Sequence, residues 1–257
     1  MRLFISNIDL KILNSITVSP DPRLGHFSSV PAAIKYAKRF SDLYPDAGIP
    51  TVHLKSGTHE VTIQQDESAK DFSTWLTEFS ASPSATLNTL HTLVHDDGVF
   101  IDFPLNLEGE GDGTVLKVRS EYTFSDQTVN FRGVIFIPGD GFTTITAPND
   151  VFNSGFIKIS NMKIDNARIS MVDLNTETGS TMHTFGVDID NIIFDTQNFT
   201  GNLFDSYIGN IGGQLAEVDD EIEPKGNVRI NNCKFIDSFF KITEKTRVRN
   251  LRFSNNT

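Results

Sequence analysis

In the second half of the chain, short runs of alternating apolar and polar residues are interrupted by asparagine at a recurring place. Five segments align without gaps: FRGVIFI from Phe131, ISNMKID from Ile159, IDNIIFD from Ile189, INNCKFI from Ile230 and VRNLRFS from Val248. Their first column holds Phe131, Ile159, Ile189, Ile230 and Val248. The third holds Gly133, then Asn161, Asn191, Asn232 and Asn250, and the sixth holds Phe136, Ile164, Phe194, Phe235 and Phe253. Period-two alternation marks a strand with one buried face, and Asn or Gly between two such runs marks a bend with left-handed backbone angles. If each segment is one turn of a stack, like residues lie above one another at about 4.8 Å. Phe136, Phe194, Phe235 and Phe253 are then expected to form one continuous column.

A further β-like run follows each of the first four copies: FTTITA from Phe142, RISMVDL from Arg168, NLFDSYI from Asn202 and FFKITE from Phe239. Three short strands separated by turns make the section of a parallel β-helix. The intervals between the Asn or Gly positions, 28, 30, 41 and 18 residues, suit a coil that accepts insertions of unequal length. A β-sandwich, the competing all-β arrangement, does not require Asn at one fixed place between two apolar residues.

The first hundred residues carry a helix followed by a strand. In FSSVPAAIKYA, Ser28 or Ser29 can cap the helix, Pro31 sits in its first turn, and Val30, Ile34 and Ala37 share a face. IPTVHLKSGTHEVTI follows, and LNLEGEGDGTVLKV comes later, from Leu105. These stretches resemble the opening of the pectin-lyase-like right-handed parallel β-helices, in which a short helix caps the solenoid and a strand with Gly-Thr begins the first coil. The resemblance covers roughly residues 27–63 and 105–257. It implies an all-β fold: a right-handed single-stranded parallel β-helix with an N-terminal capping helix and loop insertions. The expected organisation is an N-terminal appendage over 1–26 for docking or attachment, then the β-helix domain over 27–257 with an insertion at about 66–97. Within the insertion, DFSTWLTEF reads as a short helix.

Composition adds a core and an acidic surface. The chain has 21 Phe against one Trp and four Tyr, so many rings need burial. The formal net charge of −11 disfavours nucleic-acid binding through a basic field. Cys233 stands alone, which excludes an intramolecular disulfide framework and cysteine-rich metal sites. Polar residues break the N-terminal apolar run at Asn7, Asp9, Lys11 and Asn14, so a secretory signal is not expected. Nor is membrane insertion, since nowhere do eighteen apolar residues run together.

The chemical candidates are few. His59 and Glu60 in SGTHEVTI resemble an element of pectin methylesterases, but that family's catalytic Asp-bearing and Arg-Pro-Trp motifs are missing, which leaves a strand of the first coil. HDDG at His95–Gly98 resembles the paired aspartates of polygalacturonases without their companion motifs and reads as a turn. His91 and His95 have the spacing of helical metal ligands but lack a third ligand. Asp219, Asp220, Glu221 and Glu223 form an acidic run expected in a solvated loop, with calcium as the alternative. Asp165 and Asp195 occupy one column, one place after the inward Ile164 and Phe194. They are expected to point outward, with carboxylates about 5 Å apart if the coils are neighbours, close to the separation in retaining glycosidases. The sequons at Asn198 and Asn255 are of a kind that arises by chance.

No catalytic residue, metal ligand or cofactor is therefore assigned. The resemblance extends to bacteriophage tail fibres, tailspikes and baseplate proteins. It implies a structural or receptor-binding virion component that presents a glycan-binding surface and is assembled in a host cytoplasm. Its implied partners are other virion or tail proteins and bacterial surface polysaccharide. The last coil, VRNLRFSNNT, stops directly after an inward Phe253 with no closing helix or polar cap, from which association is expected, most simply as a homotrimer. The alternative is a glycoside hydrolase or lyase acting on acidic or bacterial surface polysaccharide.

Overall fold

The computed structural model describes residues 14–81, 97–137, 156–171, 186–195, 207–211, 227–237, 239–242 and 250–257. The chain is all-β in class, with a mainly parallel sheet and two α-helices among the described residues. Its strands are β1 (Ser15–Val18), β2 (Thr51–Leu54), β3 (Gly57–Glu67), β4 (Val99–Phe100), β5 (Asn106–Gly109), β6 (Thr114–Phe124), β7 (Thr128–Phe136), β8 (Phe156–Asp165), β9 (Ala167–Met171), β10 (Gly186–Asp195), β11 (Tyr207–Ile211), β12 (Asn227–Asn231), β13 (Lys234–Ile236), β14 (Phe239–Ile242) and β15 (Asn250–Ser254). Helix α1 spans Val30–Leu43 and α2 spans Phe72–Ala81.

Pairing sorts the strands into three parallel ladders. The first runs β1–β2–β5–β8–β10–β12–β15. The second runs β3–β6–β8–β10–β13, through the later halves of β8 and β10. The third runs β4–β7–β9–β11–β14. From β2 onward the chain visits first, second and third ladder in that order and then returns to the first.

Apolar columns follow from the register. Ile16, Val52, Leu107, Ile159, Ile189, Ile230 and Phe253 face one another in succession along the first ladder. All but Phe253 are essentially buried. Burial of each such side chain contributes roughly 1.5–3 kcal/mol. In the second ladder His59, Leu116, Ile164, Phe194 and Phe235 are aligned, and the rings of Phe194 and Phe235 stack 5.3 Å apart, nearly parallel.

Two of the five repeat segments stand elsewhere than their alignment implies. FRGVIFI lies in β7, which pairs antiparallel with β6 and parallel with β9. Phe136 therefore joins a second apolar cluster with Ile63, Trp75, Tyr122, Phe124, Phe131 and Val134. Gly133 is strand, not bend; a Cβ there would sit 2.4 Å from the Val118 carbonyl carbon and oxygen. Close backbone crossing, not a left-handed turn, demands that glycine. The last segment is displaced by five residues: Phe253 faces Ile230, and Asn255 takes the bend below Asn232. The single column of Phe136, Phe194, Phe235 and Phe253 is thus not formed.

The bends themselves are asparagines in the left-handed region: Asn161 (φ 59°), Asn191 (52°), Asn232 (54°) and Asn255 (54°). Their amides form a polar rail. Asn161 Nδ2 donates to Glu108 Oε1 at 3.1 Å, Asn191 Nδ2 to Asn161 Oδ1 at 3.0 Å, Asn232 Nδ2 to Asp190 Oδ1 at 2.8 Å and Asn255 Nδ2 to Asn232 Oδ1 at 3.2 Å. A second set of bends, at Asn166 (φ 62°) and Asp237 (48°), follows β8 and β13.

Helix α1 is capped by Ser29, whose hydroxyl accepts from the Ala32 amide, with proline in the first turn. Val30, Ala33, Ile34, Ala37 and Phe40 are buried, and most join the same core as the columns. Ser15–Val18, inside the stretch expected to be an appendage, is the first strand of the sheet. Helix α2 lies within the expected insertion and covers the second cluster; Trp75 sits 5.5 Å from the Tyr122 ring and 6.0 Å from Phe131.

Candidate functional site

Two places bring charged side chains together. The first is the column of Asp165 and Asp195, which are direct partners on neighbouring strands, preceded in the same row by Glu60 and Lys117. Lys163 Nζ meets Asp195 Oδ2 at 2.6 Å, and Lys117 Nζ lies 3.6 Å from Glu60 Oε1. Asp195 is 7% exposed, covered on the face where it meets Lys163. Its carboxylate is covered and neutralised by Lys163, an arrangement that orders the stack and leaves little access for a sugar. Asp165 is half-buried, and its Oδ1 is buried without a hydrogen-bond partner.

The second place is a cleft of about 380 Å³ between α1 and the Gly98–Phe103 segment. The helix supplies Lys35, Lys38, Arg39 and Asp42 to one wall; Phe100, Asp102 and Phe103 stand on the other. The spacing explains the wall. Val30, Ile34 and Ala37 turn toward the core, which directs residues 35, 38, 39 and 42 toward the rim. Lys38 forms an ion pair with Asp102, whose side chain is 14% exposed. Arg39 is exposed and has no hydrogen-bond or ion-pair partner among the described residues. Phe100 is half-buried, 5.7 Å from the Phe136 ring. The cleft thus combines three cations and two aromatic rings in a chain of net charge −11.

The remaining candidates separate cleanly. His59 is a core histidine: it is 4% exposed, and its Nε2 is 2.7 Å from the Lys55 carbonyl oxygen. Glu60 faces away from it, toward Lys117. Glu110 binds Lys55 Nζ at 2.6 Å and accepts from the Ser56 amide, and these contacts hold its carboxyl below the usual range, the lysine hydrogen bond foremost. Burial pushes the Cys233 thiol up to about 11, which makes it a poor nucleophile. His91, His95, Asp219, Asp220, Glu221, Glu223 and Asn198 lie outside the described residues; Asn255 is a bend residue of the rail. Among the described residues no group of three His, Cys, Asp or Glu side chains converges as metal ligands, and no helix is long and apolar enough to cross a membrane.

No family model, curated protein or solved structure matches the chain.

The α1 cleft was missed by sequence reasoning. Its signal was present: Lys35, Lys38 and Arg39 lie off the face of α1 that Val30, Ile34 and Ala37 bury. Nothing local, however, indicated that Phe100 and Asp102 would face them.

Proposed function

We propose that the chain is a right-handed parallel β-helix that serves as a non-catalytic structural and glycan-binding component of a bacteriophage particle. The observation that carries the architectural part is the cyclic visiting order of the three ladders. A parallel strand–crossover–strand connection is right-handed in about 98% of cases, which supports the right hand in this reading. The non-catalytic part rests on Asp195: among the described residues, Asp165 and Asp195 are the carboxylate pair aligned on adjacent strands, and Asp195 is tied down by Lys163. The phage assignment rests on the resemblance of a β-helix with an acidic surface and a single cysteine to virion components of that fold. A rod of this kind suits the spanning of distance, with side clefts that present a sugar-binding surface to a bacterial envelope. Other tail proteins and further copies of the chain, most simply three in all, are its partners in this reading.

The second reading, a polysaccharide-degrading enzyme, has one observation in its favour: the unsatisfied Asp165 Oδ1 beside Asp195. One experiment addresses both. The chain is incubated with a panel of bacterial surface polysaccharides while bound sugar and new reducing ends are measured. Binding without new ends is the expected result. New ends that disappear in Asp165→Asn overturn the non-catalytic reading, and absence of binding to every member of the panel removes the glycan-binding role.

A further inference from the structure

We infer that the loop Ser19–Phe27 is an acid-released guard on the outer edge of β1, with the neutral imidazole of His26 as its catch. Among the described residues β1 pairs with β2 alone. In that pairing the Asn14 and Val18 carbonyls accept from the Thr51 and Lys55 amides. By the alternation of a strand, Thr17 therefore turns its own amide and carbonyl to the other side. Such an edge is a template for a strand of another chain, and here the loop occupies it. The Thr17 carbonyl accepts from the His26 amide at 2.8 Å and from the Phe27 amide at 3.1 Å, and the Ser19 amide donates to the Phe27 carbonyl at 3.0 Å. The Thr17 amide itself donates to His26 Nδ1 at 3.1 Å.

A backbone amide can donate but not accept, so this contact exists while Nδ1 carries no proton and the ring hydrogen is on Nε2. A proton on Nδ1 sets two N–H groups face to face and turns attraction into repulsion. Imidazole is the side chain that ordinarily changes charge between about pH 5 and 8. His26 is exposed, so protons reach it without any opening of the fold. The charged groups on the elements around it are matched in pairs. In its own loop Arg23 Nη2 meets Asp21 Oδ2 at 2.7 Å, and this hydrogen bond holds the Asp21 carboxyl below the usual carboxylate range, so it keeps its charge while an imidazole titrates. On β2, His53 is the register partner of Thr17 and lies 3.6 Å from Glu108, while Lys55 binds Glu110 at 2.6 Å. Helix α1 meets the loop through an uncharged contact, Tyr36 on Phe27 with ring centres 5.4 Å apart, and its cations Lys35, Lys38 and Arg39 line the cleft. Phe27 also packs against the core, so the end of the loop stays anchored when the His26 catch lets go of Thr17.

The test uses the full chain and amide exchange followed by NMR at about pH 8 and about pH 5, the two ends of the imidazole range, each rate divided by that of the unstructured chain at the same pH. In the parent the Thr17 amide is expected to lose about tenfold of its protection at the lower pH, the effect of one hydrogen bond. The Ile16 and Val18 amides, which face β2, should keep theirs. The loss should follow the titration of the His26 ring, read from its Cε1 proton. His26→Asn places an acceptor near the position of Nδ1 but has no proton to gain, and should remove the pH dependence; His26→Ala should show low protection at both pH values. His53→Gln should behave as the parent does, which separates the two histidines. Equal Thr17 protection at the two pH values in the parent, a pH-dependent loss that survives in His26→Asn or His26→Ala, or one that disappears in His53→Gln overturns the assignment.

Discussion

Replacing Asn191 by alanine tests whether the asparagine rail is a conformational or a hydrogen-bonding device. Asn191 is exposed, sits at φ 52° and donates to Asn161 Oδ1 at 3.0 Å. Alanine in the left-handed region costs about 1–2 kcal/mol. Loss of a solvent-exposed hydrogen bond adds about 0.5–1 kcal/mol, so Asn191→Ala should destabilise by roughly 1.5–3 kcal/mol. Asn191→Gly loses the same hydrogen bond but adopts the bend freely, and should cost about 1 kcal/mol. Asn106→Ala supplies the control: it removes a 3.3 Å hydrogen bond to Thr51 Oγ1 at a strand residue, with no positive φ. Urea titration followed by circular dichroism gives the midpoints, and an unchanged slope confirms that the same surface is exposed on unfolding. If Asn191→Ala is as stable as Asn191→Gly, left-handed geometry is not what the asparagines are there to supply.

Three further outcomes follow. Gly109→Ala places a Cβ 2.4 Å from the Asn161 carbonyl oxygen and 2.8 Å from Met162 Cβ, so the neighbouring strand must shift; a loss near the upper end of the usual 1–3 kcal/mol for overpacking is expected in the same titration. Lys163→Met leaves the Asp195 carboxylate covered without its cation and should cost about 3 kcal/mol; adding Asp195→Asn should restore part of that stability, and a double variant no better than Lys163→Met would contradict the pairing. Burial, aided by the charge of Glu67, raises the Tyr122 phenol from 10 to about 12. The folded state therefore holds its proton more tightly than the unfolded state. This contribution, on the order of 3 kcal/mol, is complete below pH 10 and is lost as pH rises toward 12, and Tyr122→Phe should flatten that part of the stability–pH curve.

How much could be read from the chain depended on how local each cause was. The cap at Ser29 and the buried face of α1 are set within one segment by proline, serine and spacing. The middle repeats were legible because Ile159, Ile189 and Ile230 each precede an asparagine by two residues, and those three segments pair in that register. The first and last segments misled for different reasons. Glycine answers two needs, a left-handed bend and a close backbone approach, and at Gly133 the second operates. At the end, VRNLRFS matches the pattern in letters, but LRFSNN matches VRINNC in space; the doubled asparagine of Asn255–Asn256 was the missed cue. The bends at Asn166 and Asp237 fall one residue beyond the aligned segments, outside the columns that the repeat defines. The Asp165–Asp195 alignment was accessible because register follows from pattern, whereas the burial of Asp195 depends on Lys163, whose reach the pattern does not contain. The α1 cleft needed the meeting of helix and distant strand, an event set by the fold as a whole.

Because each described strand of the first ladder is bonded to strands of the adjoining turns, damage has a short reach. A void opened at Ile189 is felt by Ile159 and Ile230 and hardly at all by Ile16. Such a molecule behaves less like a keystone arch than like a stack of coins. Amide exchange should be slowest where β8 and β10 are hydrogen-bonded on both sides, and the layers should come away in succession and not all at once.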